Sequence, residues 1–428
     1  MIFRKKYASN SATGICGILK SEEFSVGWSF LFFCTLMMSY AIMRPLRDEM
    51  GIRNGVDNLQ WLFTGSFIVM IGIVPVFGYL ISRVDIGTFK SYLYGFLVIG
   101  TLSFYFLFRE KLFVGILPGI FFIWLSVFSL FTISLFWSFM VDIFSSAQSR
   151  RLFGIISAGG SLGALLGSLV VTTFSGFIEI ETLLLVSAVL LLVSLVSLRK
   201  ILSRQTSKLA GSHHTTFLPK RALFDAFRLI FSSRYLMSIS LFIFCYTVIS
   251  TVLYFEQAAL IDKTLISVSE RIKYFSIVEL IINVLAFLGQ FFLTQKIFKK
   301  YDLSTILILV PIVTCIGLLA LIIYPTMYLI TLALIVIRIG NYIVLRPGKE
   351  ILYTVRNREE KYKVKNIIDT SVYRVGDSMS SWCFAFFISI GFGFSTIALI
   401  ILPLVCFWAY LGFQIGEKHK SLVKVSKA

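Results

Sequence analysis

Charge is scarce in this chain: 14% of its residues are Asp, Glu, Lys or Arg, against ~25% in soluble domains. Histidine is rarer still, with three in 428 residues. His213–His214 has no carboxylate or cysteine at ligand spacing, so no metal centre is expected there. The six cysteines are scattered, mostly inside apolar stretches and without a CxxC pair. They exclude a disulfide framework and a thiolate metal site, and read as small buried hydrophobes. No phosphate loop of the form GxxxxGK followed by Ser or Thr occurs, and no catalytic triad or metal cluster is apparent. An enzyme is not expected, and no cofactor is called for. Acids are few as well, 22 against 40 basic residues, for a net charge of +18. In a soluble protein that balance would suggest nucleic acid. Here the basic residues lie between apolar runs, so no nucleic-acid partner is expected.

What the chain has in abundance is apolar length. Twelve spans stand out: 24–43, 59–82, 89–108, 112–141, 152–175 and 181–198, then 235–255, 272–294, 304–323, 326–346, 367–391 and 394–412. Each holds about 18 or more mostly apolar residues, enough helix to cross ~30 Å of hydrocarbon. The expected fold is an all-helical membrane protein with two six-helix bundles, 24–198 and 235–412. A basic linker, 199–234, joins them, and tails of residues 1–23 and 413–428 flank them. The first 23 residues carry Arg4, Lys5 and Lys6 but no apolar stretch long enough for a secretory signal.

Charge fixes an expected orientation. With the amino terminus inside, the inner loops and tails hold 28 Lys and Arg and the outer loops 7. Short cationic loops resist export across an inside-negative membrane, so both termini are expected in the cytoplasm of a multi-pass inner (cytoplasmic) membrane protein. Span 5 carries Gly159, Gly163 and Gly167 at four-residue spacing, one helix face on which a partner backbone can approach closely.

Function is expected where charge enters the membrane, because each buried ion costs at least ~2.5–3.5 kcal/mol on insertion scales. Arg44, Arg47 and Asp48 follow span 1. Two arginines three apart share a helix face if the helix continues past Pro45, and their planar forks suit a phosphate or carboxylate. A charged collar pairing Arg47 with Asp48 or Glu49 is the other reading. Arg338, deep in span 10, needs a cavity or a counter-ion, and Glu279 in span 8 is the candidate partner. Asn341, Arg346, Lys349 and Glu350 follow at the exit of that span. Arg374 and Asp377, i and i+3 at the start of span 11, can pair or gate.

The 6 + 6 plan resembles the major facilitator superfamily, as does Gly78-Tyr79-Leu80-Ile81-Ser82-Arg83 after span 2. More specifically, the chain resembles the nucleotide transporter family of plastids and intracellular bacteria, the ATP/ADP translocases. That family's Y-x-x-x-R-x-x-K-D is matched by Tyr40, Arg44, Arg47 and Asp48, with Arg for Lys. Its LFW and LFG are matched at Leu135-Phe136-Trp137 and Leu152-Phe153-Gly154. Its P-x-K-E and K-x-K-x-K-x-x-I-D appear as Pro347, Lys349, Glu350 and then Lys361, Lys363, Lys365, Ile368, Asp369. The chain departs from the family at Leu125, where ATP/ADP exchangers carry an acid, and at Asp377, which replaces a lysine. The span 7 glutamate has only Tyr254 or Glu256 nearby.

The resemblance implies nucleotide antiport by alternating access. Arg44, Arg47, Asp48, Arg338, Asn341, Arg346 and Lys349 are the expected substrate contacts, with Glu279, Glu350, Arg374 and Asp377 expected to gate or couple. The expected partners are a small anionic substrate, nucleotide or other organic phosphate, and the lipid bilayer, with the carrier a monomer. A proton-coupled exporter of small organic compounds, with Glu279 and Asp377 as its titrating acids, is the alternative.

Overall fold

The computed structural model describes residues 22–83, 86–209, 228–355, 364–365 and 368–427, and among these there is no strand. Twelve helices carry the described chain: α1 (Glu23–Arg53), α2 (Leu59–Arg83), α3 (Ile86–Arg109), α4 (Leu117–Ile143), α5 (Ser146–Phe174), α6 (Ile180–Leu209), α7 (Arg234–Thr264), α8 (Val268–Gly289), α9 (Leu303–Ile323), α10 (Met327–Gly340), α11 (Tyr373–Ser389) and α12 (Phe394–Lys427). Two of them run on through a π turn. α8 passes through Gln290–Thr294 into Gln295–Lys300, and α10 through Asn341–Leu345 into Arg346–Leu352. A third π turn, Ile368–Val372, leads into α11. Among the described residues, eleven helices are long and apolar enough to cross a bilayer. α11 has 17 residues after its leading π turn, and it carries Arg374, Asp377 and several serines. The architecture is that of a twelve-helix membrane protein. His213–His214, Lys361 and Lys363, with residues 210–227 of the linker, lie outside the described residues.

Two helices outrun their apolar spans. α1 continues through Pro45 to Arg53 rather than ending at residue 43, so Arg44 and Arg47 do lie on one continuous helix. α12 continues past residue 412 to Lys427, so most of the expected tail is helical. Its extension packs on the start of α9: Gly416 lies against the Ser304 backbone, Ser304 donates to Glu417 at 2.8 Å, and Ile415 is buried.

Contacts divide the chain into two compact units. The first comprises Met1–Arg44, Leu80–Phe113 and Leu125–Thr215. In lipid no hydrophobic force draws helices together, so close packing and polar contacts must hold them. The glycine face of α5 does this against α1. A Cβ on Gly159 would stand 2.7 Å from the Phe30 carbonyl oxygen and one on Gly167 2.5 Å from that of Met38, and one on Gly163 would overlap the Cys34 carbonyl. Glycines four apart thus ride on carbonyls four apart. α6 is tied to α1 by hydroxyls, through Thr35 to Ser194 at 2.7 Å and Ser39 to the Ser187 carbonyl at 3.0 Å. Phe136, fully buried, stacks on Phe33 at 4.1 Å, and Trp137 meets Phe153 edge-on at 5.4 Å. Aromatics of the two tripeptides Leu135-Phe136-Trp137 and Leu152-Phe153-Gly154 are therefore packing groups in contact with each other. At the start of α5, Ser145 and Gln148 form a capping box, and Arg151 grips Glu22 at 2.8 and 2.9 Å.

The second unit comprises Pro45–Tyr79, Val114–Trp124 and Thr216–Ala428. Its core runs through α7, α9, α10 and α12 and takes in Ile52, Leu59, Leu62 and Phe122. Aromatics fasten α2 there: Phe63 lies 5.3 Å from Phe255, and Trp61 meets Trp382 edge-on at 4.7 Å while the Trp382 indole donates to Thr64.

Candidate substrate site

A proline near the end of α10 coincides with an interruption of that helix. Pro347 has no N–H, so a regular helix would leave the carbonyl of Ile343 without its donor. The chain opens into the π turn Asn341–Leu345, and the Thr294 hydroxyl donates to the Ile343 carbonyl at 3.1 Å. Thr294 belongs to the π turn of α8, whose Gln290 donates in turn to the Tyr342 carbonyl at 3.3 Å. Wide turns of this kind cluster at functional sites, where a helix must present side chains off its regular face.

They do so here. A cavity of about 570 Å³ is lined by Gln290 from the first π turn, Asn341, Tyr342 and Leu345 from the second, and Tyr373 immediately after the third. The following segment of α10 adds Arg346, Lys349 and Glu350, and Lys365 enters from the segment before α11. Phe242 and Tyr246 of α7 form an apolar wall with Ile239, Ile243 and Leu307. The volume falls within the range of small-molecule sites, and the lining is the usual mixture of apolar walls and a few polar groups. Three cations and one carboxylate face it. The Arg346 guanidinium lies 4.5 Å from the centre of the Tyr342 ring, and Lys365 pairs with Glu350 at 2.6 Å. The Tyr246 and Tyr373 rings are 6.2 Å apart. Such a lining can hold an anion by charge-assisted hydrogen bonds while an organic portion rests on the aromatics.

Of the residues singled out from sequence, Asn341, Arg346, Lys349 and Glu350 come together in this lining. The others sit elsewhere. Arg338 of α10 and Glu279 of α8 form a two-pronged pair with side chains 17% and 6% exposed; its second bond spans 2.9 Å. Arg374 pairs with Asp377 at 3.3 Å, and Thr251 of α7 donates to the other Asp377 oxygen at 2.9 Å. Arg47 donates to Asp48 at 2.6 and 3.1 Å, and its guanidinium lies 4.9 Å from the Phe122 ring. Tyr254 donates to the same Asp48 oxygen at 3.2 Å. Arg47 is thus paired with Asp48, with side chains 19% and 7% exposed. Arg44 is half-buried in the first unit.

Some groups carry no mark in the sequence. Arg271 lies 3.0 Å from the fully buried Glu49 and 2.8 Å from Asp262, tying the end of α1 to the region where α7 gives way to α8. Gln290, Tyr246 and Tyr373 line the cavity from helices whose spacing alone gives no reason to bring them together. Lys365 was visible only through the lysine motif.

The profile described as Major Facilitator Superfamily matches residues 26–347. Among solved structures, a bacterial homolog of the human lysosomal transporter Spinster, crystallised inward-facing and unoccupied, is 15% identical with a TM-score of 0.62, covering 95% of this chain and 99% of that one. A bacterial homologue of the iron transporter ferroportin, inward-facing, gives 9% identity and a TM-score of 0.65 over 93% and 100% of the two chains. An auto inhibited POT family peptide transporter gives 12% and 0.59 over 94% and 96%. At these identities the likeness is one of fold. No curated protein sequence matches the chain.

Proposed function

The chain belongs to the major facilitator superfamily, and from that premise we propose that this membrane transporter carries a phosphorylated organic anion, foremost a nucleotide, by exchange through alternating access. The observation that carries the reading is the convergence of Arg346, Lys349 and Lys365 on one aromatic-walled cavity of about 570 Å³. The motif resemblance at Pro347, Lys349, Glu350 and Lys365 points the same way. Residues 24–198 and 235–412 act as the two six-helix bundles of the cycle. Arg346 is the principal anion contact, with Lys349 and Lys365 adding charge. Asn341 and Gln290 offer amides to the polar part of the ligand, and Tyr246, Tyr342 and Tyr373 offer faces to its organic part. Arg338 and Glu279 support α10 from behind.

The test is uptake of labelled AMP, ADP, ATP and glucose 6-phosphate into vesicles holding the purified chain, with and without the same compound inside. Exchange is expected only with internal counter-substrate. Arg346→Gln is expected to lower uptake at least tenfold, and Arg346→Lys to retain part of it, because the charge survives without the planar fork. Wild-type uptake by a well-assembled Arg346→Gln protein would refute the site. Uptake that ignores internal anions and collapses with a protonophore would favour a proton-coupled exporter. Glu279 and Asp377, the acids such an exporter would use, are each held by an arginine.

The proposed location is a cytoplasmic membrane with both termini inside. A cysteine introduced at Ser421 is then expected to react with an impermeant maleimide only from the cytoplasmic side, and one at Asn54 only from outside. Labelling of Asn54→Cys in inside-out vesicles alone would invert the topology.

A further inference from the structure

The cavity already contains an anion of its own. Glu350 sits on the same short helical segment as Arg346 and Lys349, yet its carboxylate reaches across to Lys365, 2.6 Å away on the segment before α11. A carboxylate and a phosphate ask the same of an ammonium group: negative charge and acceptor oxygens at hydrogen-bonding distance. An anionic substrate therefore competes with Glu350 for Lys365. We propose that Glu350 is a specificity-determining residue that sets how much negative charge a ligand must bring, serving as an internal anion that the substrate displaces from Lys365. The inference rests on the organic-anion reading of this cavity.

The accessibility of the pair suits an exchangeable contact. Lys365 is 33% and Glu350 49% exposed at the side chain, whereas Arg338 and Glu279, the pair between α10 and α8, are 17% and 6% exposed. Solvated ion pairs shift an equilibrium by roughly fivefold or less, which a ligand phosphate can match. A monoanion that takes over Lys365 only replaces one negative charge by another. A polyanion gains Lys365 and still has charge left for Arg346 and Lys349. Glu350 thus discriminates against weakly charged ligands while letting strongly charged ones leave, because it is at hand to reclaim the lysine.

Direct binding to the full chain in lipid nanodiscs tests this, with ADP, glucose 6-phosphate and inorganic pyrophosphate as probes. Glu350→Gln is expected to tighten binding of the probe that the wild type binds by about fivefold. In a Lys365→Met background the same change is expected to shift affinity by less than about 1.5-fold, because the cation in dispute is gone. An equal gain in both backgrounds would mean that Glu350 acts only through the general field of the cavity, and would overturn the proposal. So would no gain in either. If Lys365→Met fails to assemble, Lys365→Gln serves as the second background. Absence of binding by every probe to the wild type would overturn the anion-site reading, and this inference with it. Tight ADP binding without coupling between Glu350 and Lys365 would overturn this inference alone.

Discussion

Arg338→Leu and Glu279→Leu are each expected to destabilise the protein by roughly 3–5 kcal/mol, and the double substitution to recover most of that loss. The two side chains are among the least exposed charges of α8 and α10, helices that also contribute the buried apolar cluster of Val278, Ile282 and Ile335. Removing one partner takes from a largely buried ion the charge that neutralises it, whereas removing both exchanges an expensive pair for an apolar contact of similar volume. Mesophase or detergent yield of monodisperse protein and the thermal unfolding midpoint give the readout. Single variants that assemble like the wild type would show that water reaches the pair. A double variant no better than the singles would show that the pair does more than neutralise itself.

Gly163→Leu is expected to be as severe for a different reason. A Cβ at this position already overlaps the Cys34 carbonyl of α1, which is backbone and cannot turn aside as a flexible side chain can. The branched side chain would force α1 and α5 apart, breaking the contacts of Gly159 with Phe30 and of Gly167 with Met38 and Ala41 as well. Overpacking of this kind costs about 3 kcal/mol or more, and lipid supplies no compensating drive to re-form the interface. Gly154→Ala, on the same helix with nothing within 4 Å of its Cβ, is expected to be neutral or slightly stabilising through helix propensity. An unchanged unfolding midpoint for Gly163→Leu would mean that α1 and α5 do not pack through their glycine face.

Much of this was legible in the sequence, and the rest was hidden for identifiable reasons. Apolar length marks where a helix crosses lipid, so the twelve spans were readable. It does not mark where a helix ends, and α1 and α12 run on because their polar ends find partners that hydropathy cannot see. Asp48 meets Tyr254, Glu49 meets Arg271, and Glu417 meets Ser304. The partner of Arg338 could be named because acids are so few in the spans that a deep cation has almost no choice. The glycine face of α5 could be named because its spacing is local. The cavity was only half readable. Arg346, Lys349 and Glu350 are neighbours in the chain, but Tyr246, Gln290 and Tyr373 come from other helices, and nothing local ties them together. Arg271 was hidden as well, because it stands beside a loop and its partner, the buried Glu49, is more than two hundred residues away in the chain.

The wide turns of α8 and α10 have a consequence for how this sequence can change. The one in α10 leaves backbone carbonyls that the one in α8 covers: Gln290 and Thr294 donate to the carbonyls of Tyr342 and Ile343. A deletion that restored a regular helix at 290–294 would withdraw both donors and strand acceptors beside Pro347, which cannot serve them. A deletion at 341–345 would rotate everything beyond it, Arg346 included, about the helix axis. Neither irregularity can be ironed out while the other stays. The two must drift as a unit, and any descendant of this chain that loses one is expected to have lost both, along with the ligand they shape.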